Sequence, residues 1–325
     1  MKLPRRNFLQ LAAGAAALPA VSRIARAQTY PTRPVRLIVG YAAGGPNDTV
    51  ARLMGQWLSE HLGQPFVIEN RPGAAANIGT EAVVRAPADG YTILLAGATN
   101  AINSALYDKL TFNFIRDIAP VATISHLIFV MVVHPSIPAK TVPEFIAYSK
   151  ANPGRINMAS SGTGSPSHVF GELFKMMTGV DTTHVPYRGA APVITDLLTG
   201  RVQVYFAPAP GSIEYIKSGK LRALGVTTAT RWEALPDVPA IGEFVSGYEA
   251  SSWYGIGAPR ATPTEIIETL NKKINAALAD PTMKRRLAEL GCNVFTGSPA
   301  DFGKLIADET EKWGKIIRTA NIKPE

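Results

Sequence analysis

The chain has one cysteine, Cys292, so no disulfide can form within it and its stability must come from burial. Histidine is also scarce: His61, His126, His134, His168 and His184 show no paired metal-ligand spacing. With no second thiolate to join them, no metal site is expected. After the first 20 residues, no apolar run approaches the roughly 20 residues a membrane-spanning helix needs. Gly40 to Gly45 is followed by Pro46-Asn47 and lacks the Lys-Ser/Thr that a phosphate loop requires. Its glycines do not fit G-x-G-x-x-G either. Gly162-x-Gly164-x-x-Ser167 is a weak match with no suitably placed acid about 20 residues on, since Asp181 falls in a turn after Gly179. Nucleotide binding is excluded on spacing, and no cofactor is expected.

What is present begins with a leader. Lys2, Arg5 and Arg6 precede a mildly apolar Ala/Gly/Leu stretch, and Ala25-Arg26-Ala27 supplies an A-x-A ending. This reads as a secretory signal peptide cleaved after Ala27, and Arg5-Arg6-Asn7-Phe8-Leu9 resembles a twin-arginine export signal. Five of the 33 basic residues and none of the 25 acids lie in that leader, so the mature chain has 28 bases and a net charge near +3. In the C-terminal third, Lys272, Lys273, Lys284, Arg285 and Arg286 alternate with Glu265, Glu268 and Glu289. Such mixing describes solvated helix faces, and nucleic acid is not the expected partner. A soluble mature protein is expected, with a length that suits two domains.

Two series of β-like runs alternate with amphipathic helices. The first comprises Val35–Val39, Phe66–Ile68 and Tyr91–Ala96; the second comprises Ile156–Ala159, Thr183–Val185, Val202–Phe206 and Leu221–Val226. The pattern predicts two α/β lobes, each with a parallel sheet covered on both faces. Leu127–Val133 and Trp253–Ala258 are extended stretches expected to carry the chain out to the second lobe and back. Helices over Pro263–Ala279, Thr282–Leu290 and Pro299–Ile317 are expected to complete the first lobe.

Three strand-to-helix junctions carry the candidate chemistry. They are Tyr41-Ala42-Ala43-Gly44-Gly45-Pro46-Asn47-Asp48, the Ser160–His168 loop, and Val185-Pro186-Tyr187-Arg188-Gly189. Ser165 suits an N-cap with Pro166 at the first helical position, and Asp48 is read as a capping residue. In open α/β sheets ligands bind beyond the carboxyl ends of the strands, where free N–H groups at helix starts favour anions. Gly44 and Gly45 would let the backbone approach such an anion closely. Ser161, Ser165 and Ser167 beside His168 raise the alternative of an exported serine hydrolase using Ser165 and His168. None of these serines stands in G-x-S-x-G, so capping is the favoured role. Tyr41, Tyr187, Trp253 and Tyr254 are candidate pocket walls.

Several motifs together resemble the Bug family, the substrate-binding subunits of tripartite tricarboxylate transporters. They include Tyr30-Pro31-x-x-Pro34-Val35 leading into Gly44-Gly45-Pro46-Asn47-Asp48, then Glu69-Asn70-Arg71-Pro72-Gly73 through Thr80, and Ala88-Asp89-Gly90-Tyr91-Thr92. Ser160-Ser161-Gly162-x-Gly164-Ser165, His184 through Gly189, Leu235 through Pro239 and Ser252-Trp253-Tyr254-Gly255 complete the set. The resemblance spans the chain from Tyr30 to its C-terminus. It implies a two-lobed periplasmic binding protein, a type II-like flytrap with two crossover strands and C-terminal helices. Residues 28–128 and 256–325 would form lobe 1 and residues 129–255 lobe 2.

The same resemblance implies a monomeric, non-enzymatic periplasmic protein that passes an organic carboxylate to integral-membrane transporter subunits. A ligand-sensing role beside a membrane sensor kinase is the variant within that class. The implied ligand-binding residues in lobe 1 are Tyr41, Ala42, Gly44, Gly45, Asn47 and Asp48, with Thr99 and Asn100 from a 97–104 loop. In lobe 2 they are Ser160, Ser161, Gly162, Thr163, Gly164, Ser165, His168, Tyr187, Arg188 and Gly189, with Phe206 and Ala207. Where amino-acid-binding relatives often have an acid after the phenylalanine, this chain reads Phe206-Ala207-Pro208. Amino acids are therefore expected to bind poorly, and an aromatic carboxylate or a dicarboxylate is favoured.

Overall fold

The computed structural model describes residues 30–107 and 109–324; the expected leader lies outside the described residues. Eleven strands are present among the described residues: β1 Val35–Val39, β2 Phe66–Asn70, β3 Thr92–Gly97, β4 Ile118–Leu127, β5 Phe129–Val133 and β6 Asn157–Ser160. They continue as β7 Thr183–Pro186, β8 Val204–Pro208, β9 Arg222–Val226, β10 Ser252–Pro259 and β11 Cys292–Val294. The first sheet has the order β11-β4-β10-β3-β1-β2 and the second β7-β6-β8-β5-β9. Two α/β sheets joined by two crossings form the expected two-lobed architecture.

The expectation of parallel sheets needs correction, because both are mixed. Strands β2, β1 and β3 run parallel, as do β7, β6 and β8. The crossing strands run against them: β10 is antiparallel to β3 and β4, and β5 is antiparallel to β8 and β9. A strand that enters a sheet from the carboxyl edge must run against the parallel strands that end there, as β5 and β10 do. The stretch 127–133 is likewise not one strand. β4 ends at Leu127, β5 begins at Phe129, and Ile128 alone lies between the sheets.

Side-chain alternation builds the core. Along β1, Leu37 and Val39 join the main core while Ile38 faces a second cluster with Leu94, Trp253 and Phe302. The main core is continuous between the sheets, running from Val39, Ile102 and Leu106 to Phe129, Phe170 and Phe206. The C-terminal helix Pro299–Thr319 braces this junction. Ser298 and Asp301 cap it reciprocally, with Asp301 N–H donating to Ser298 Oγ at 3.2 Å and Ser298 N–H to Asp301 Oδ2 at 2.8 Å. Its Trp313 is fully buried, donates Nε1–H to Glu309 at 2.7 Å, and meets Phe170 of the second half at 5.1 Å. Such an aromatic pair adds about 0.5–1.5 kcal/mol beyond area burial.

The loop after β2 is unusual. Ala74, Ala75 and Ala76 all have positive φ, at 45°, 50° and 71°. Asn103 Nδ2 holds the turn by donating to Ala75 O at 2.6 Å and Asn77 Oδ1 at 3.0 Å. Gly40 passes so close that a Cβ there would stand 2.5 Å from Ala76 Cβ and 2.9 Å from its Cα. The obstacle is backbone and cannot swing aside. Gly40→Ala should therefore cost about 1–3 kcal/mol, read as a lower denaturant midpoint with an unchanged slope.

Candidate functional site

Parallel order puts the loops after β1, β2 and β3 on one edge of the first sheet, and those after β6, β7 and β8 on one edge of the second. The crossings run along these edges. β5 starts opposite Pro208 at the end of β8, and β10 brings Tyr254 opposite Gly97 at the end of β3. The two carboxyl edges thus face each other across the hinge.

On the first side, the Tyr41–Gly45 loop leads into the helix Pro46–Leu62, with Gly45 as N-cap. Asp48 is buried and organises the loop. Its Oδ2 accepts Gly44 N–H at 2.9 Å and Arg52 Nε–H at 2.8 Å, and its Oδ1 accepts Asn70 Nδ2–H at 3.0 Å. Asn70 Nδ2 also donates to Tyr41 O at 3.0 Å. The Arg52 hydrogen bond and those from Gly44 and Asn70 hold the Asp48 carboxyl down at about 2, against the cost of burial. Asp48 therefore reaches back from the first helical turn to the loop; it is a tie and not the N-cap itself.

Thr99 and Asn100 do not sit in a loop as expected, because a helix runs from Ala98 to Leu106 with Gly97 as N-cap. Thr99 hydrogen-bonds the Tyr41 hydroxyl, whose pKa burial raises. Asn100 is buried, accepting Gly97 N–H at 2.9 Å and donating to Thr80 Oγ1 at 2.8 Å, so its amide fixes the helix start. Tyr254 OH reaches Asn47 Oδ1 at 3.5 Å. Tyr41, Asn47, Thr99 and Tyr254 form one wall; Ala42 and Gly44 are exposed beside it.

On the second side, hydroxyls and imidazoles shape the 160–168 loop. Ser161 N–H donates to Ser167 Oγ at 2.9 Å, and Ser161 Oγ meets Tyr205 OH at 2.7 Å. Ser160 Oγ meets His184 Nε2 at 2.7 Å, while Gly164 N–H donates to His168 Nδ1 at 3.1 Å. The two imidazoles stack at 3.6 Å. Burial, with the charges of His184 and Lys175, lowers the His168 pKa to about 3, so the ring is neutral and can accept. Gly189 N–H donates to Ser161 O at 3.1 Å and Tyr187 N–H to Ser160 O at 3.0 Å, which joins the third junction to the second. Gly162 and Thr163 are half-buried within the loop, and Arg188 is exposed at its margin.

This geometry gives no nucleophile–base pair at Ser165 and His168. Ser165 Oγ caps the helix Pro166–Thr178, receiving His168 N–H at 3.4 Å and meeting Ser167 Oγ at 2.9 Å. Ser160 does touch an imidazole but is wholly buried. Phe206 and Ala207 are buried in the core on opposite faces of β8, and Ala207 pairs with Val130, so neither side chain is open to the cleft. His168 is buried too and acts through Gly164. Asn70 and Thr80, which stand inside the second motif but had no role read there, and Tyr205, outside every motif, are supporting residues. Among the described residues no group of three or more His, Cys, Asp or Glu is disposed to hold a metal, and no helix is long and apolar enough to cross a membrane.

Residues 50–322 match the model of the tripartite tricarboxylate transporter family receptor. Protein BugT of Bordetella pertussis is 35% identical over 302 residues, covering 91% of this chain and 92% of BugT. Among solved structures, R. palustris Rpa4515 with adipate is 40% identical with a TM-score of 0.83, covering 91% of this chain and all of that one. MatC (Rpa3494) from Rhodopseudomonas palustris with bound malate is 30% identical with a TM-score of 0.78, covering 89% of this chain and 100% of that one.

Asp48 generates a pH prediction. Because its pKa is depressed on folding, its ionised form contributes stability above the unfolded value of about 4, and that contribution fades as pH falls through about 2. Asp48→Asn, which sets an amide donor against donors, should cost about 1–2 kcal/mol at neutral pH. Denaturant midpoints should converge with wild type as the pH falls through that window.

Proposed function

The chain belongs to the tripartite tricarboxylate transporter receptor family, and from that premise we propose that it captures a small organic carboxylate between its two sheets without turning it over. It then hands the ligand to membrane subunits of such a transporter, working as a periplasmic protein with lobes divided near residue 128 and, in place of the expected 256, just before Ser252, where β10 enters the first sheet. The observation that carries the reading is the likeness to Rpa4515, a protein solved with adipate, over 91% of this chain. The similarity to MatC, solved with malate, supports the same ligand class.

The chemistry of the cleft fits an anion held by main-chain groups. The first-turn N–H groups of the helices starting at Pro46 and Ala98 have no partner within their own helices, and the helix dipole adds a partial positive charge there. Of the ionisable candidates, Asp48 is committed to Gly44, Arg52 and Asn70, and His168 is neutral. No carboxylate follows Phe206 to hold an ammonium. Dicarboxylates and aromatic carboxylates are thus favoured over amino acids. Capture is a closure equilibrium, driven only by contacts stronger in the closed state than in the open one.

A thermal-shift panel of mono-, di- and aromatic carboxylates and amino acids tests the class. At least one dicarboxylate or aromatic acid should raise the melting midpoint well above any shift from amino acids. Gly45→Val tests the site. Gly45 has an ordinary extended backbone (φ −82°), and a Cβ there would meet only Ala42 O at 3.7 Å. The variant should lower the ligand-free midpoint only slightly, valine being a poorer N-cap than glycine, and lose the carboxylate-induced shift; an undiminished shift would refute the clamp.

A further inference from the structure

The two halves touch inside the candidate cleft at Gly164. Gly164, in the Ser160–Ser165 loop, lies under Leu106 and Ile102 of the helix Ala98–Leu106 from the opposite sheet. A Cβ at 164 would overlap Leu106 Cδ2 and stand 3.7 Å from its Cγ and 4.0 Å from Ile102 Cγ2. Leu106 and Ile102 are both buried. Gly164 also has φ +74°, a conformation that side chains rarely adopt. Two separate requirements, space and backbone angle, therefore call for glycine here.

The angle is held from below. Gly164 N–H donates to His168 Nδ1, and His168 is buried, stacked on His184, with Nε2 3.8 Å from Glu172 Oε1. His184 is anchored in turn by Ser160 Oγ. We infer that Leu106 and Gly164 form a latch across the cleft, and that His168 is a positioning residue holding Gly164 in the conformation that admits Leu106. Neither Leu106 nor His168 needs to touch the ligand. The latch adds an apolar contact available only when the halves meet, so it biases closure and sets affinity without altering which acid is recognised. Only the choice of ligand rests on the receptor reading.

The test measures closure directly. Gln56 and Lys220 are exposed, one on the first half and one at the far end of the second sheet, and both can be changed to cysteine for spin labels. Cys292 is buried, with its thiol pushed up to about 11, and stays unlabelled. Distance distributions are recorded without ligand and with adipate, with malate and with the other acids of the panel. Wild type should show a short-distance population that any bound acid enlarges.

Gly164→Ala should deplete that population at least tenfold, and Leu106→Ala alone should deplete it less. The double variant should lose less than the two single effects combined, because Leu106→Ala relieves the space requirement and leaves the backbone-angle one, a departure from additivity. His168→Phe should mimic Gly164→Ala, while His168→Asn, which keeps an acceptor near Nδ1, should restore most of the short population. An unchanged population in Gly164→Ala, additive effects in the double variant, or a wild type with no short population under any condition would overturn the latch. A Gly164-dependent short population that no acid enlarges would leave the latch standing and sink the carboxylate reading. Acid binding indifferent to Gly164→Ala would do the reverse.

Discussion

Ile128 is the point on which the molecule turns. It is the only residue between β4 and β5, and its backbone is tied on both sides: its N–H donates to Gly291 O at 3.1 Å and its carbonyl accepts Ala209 N–H at 2.9 Å. Ser252 of the returning strand pairs beside it with Leu127. Both crossings therefore pass through one narrow, hydrogen-bonded seam at the carboxyl edges of the parallel strands. That seam obliges the helix starts of the two halves to confront one another, and the proposed site lined by main-chain donors rests on this confrontation.

Charge is handled sparingly around this seam. A buried carboxylate such as Asp48 would repel an anionic ligand if its charge were free, but three donors converge on it and Arg52 shares its ion pair. On the opposite side His168 is kept neutral by burial and by its stack on His184. The result is a region where dipoles outweigh net charges. In the proposed capture, dipoles would recognise the carboxylate group and leave the rest of a ligand to be chosen by shape.

Much of this was legible in the sequence because local chemistry agreed with global topology. Val35–Val39 reads as a buried strand and folds as one; Ser165-Pro166 reads as a helix start and caps one. The motifs at 41–48 and 160–168 lie at the expected edges. Three features were not legible, each for a physical reason. The antiparallel direction of β5 and β10 is set by what a crossing strand must pair with, which no local pattern encodes. The helix Ala98–Leu106 begins at a glycine without a side-chain cap accepting its first N–H, and Ala-Thr-Asn gives no start signal of its own. Phe206 and Ala207 were implied at the ligand by the family resemblance, and side-chain alternation on a central strand buries both side chains.

The three left-handed alanines after β2 have a mechanical consequence. Each L-residue held in that conformation costs about 1–2 kcal/mol, a cost glycine would avoid at the expense of a looser chain. Alanine at all three positions, pinned by Asn103 and pressed by Gly40, makes this lip stiff. In the proposed capture, a jaw with one unyielding edge cannot mould itself to its cargo. Whatever differs between cargoes must be taken up by the opposite rim, or by how far the jaw shuts.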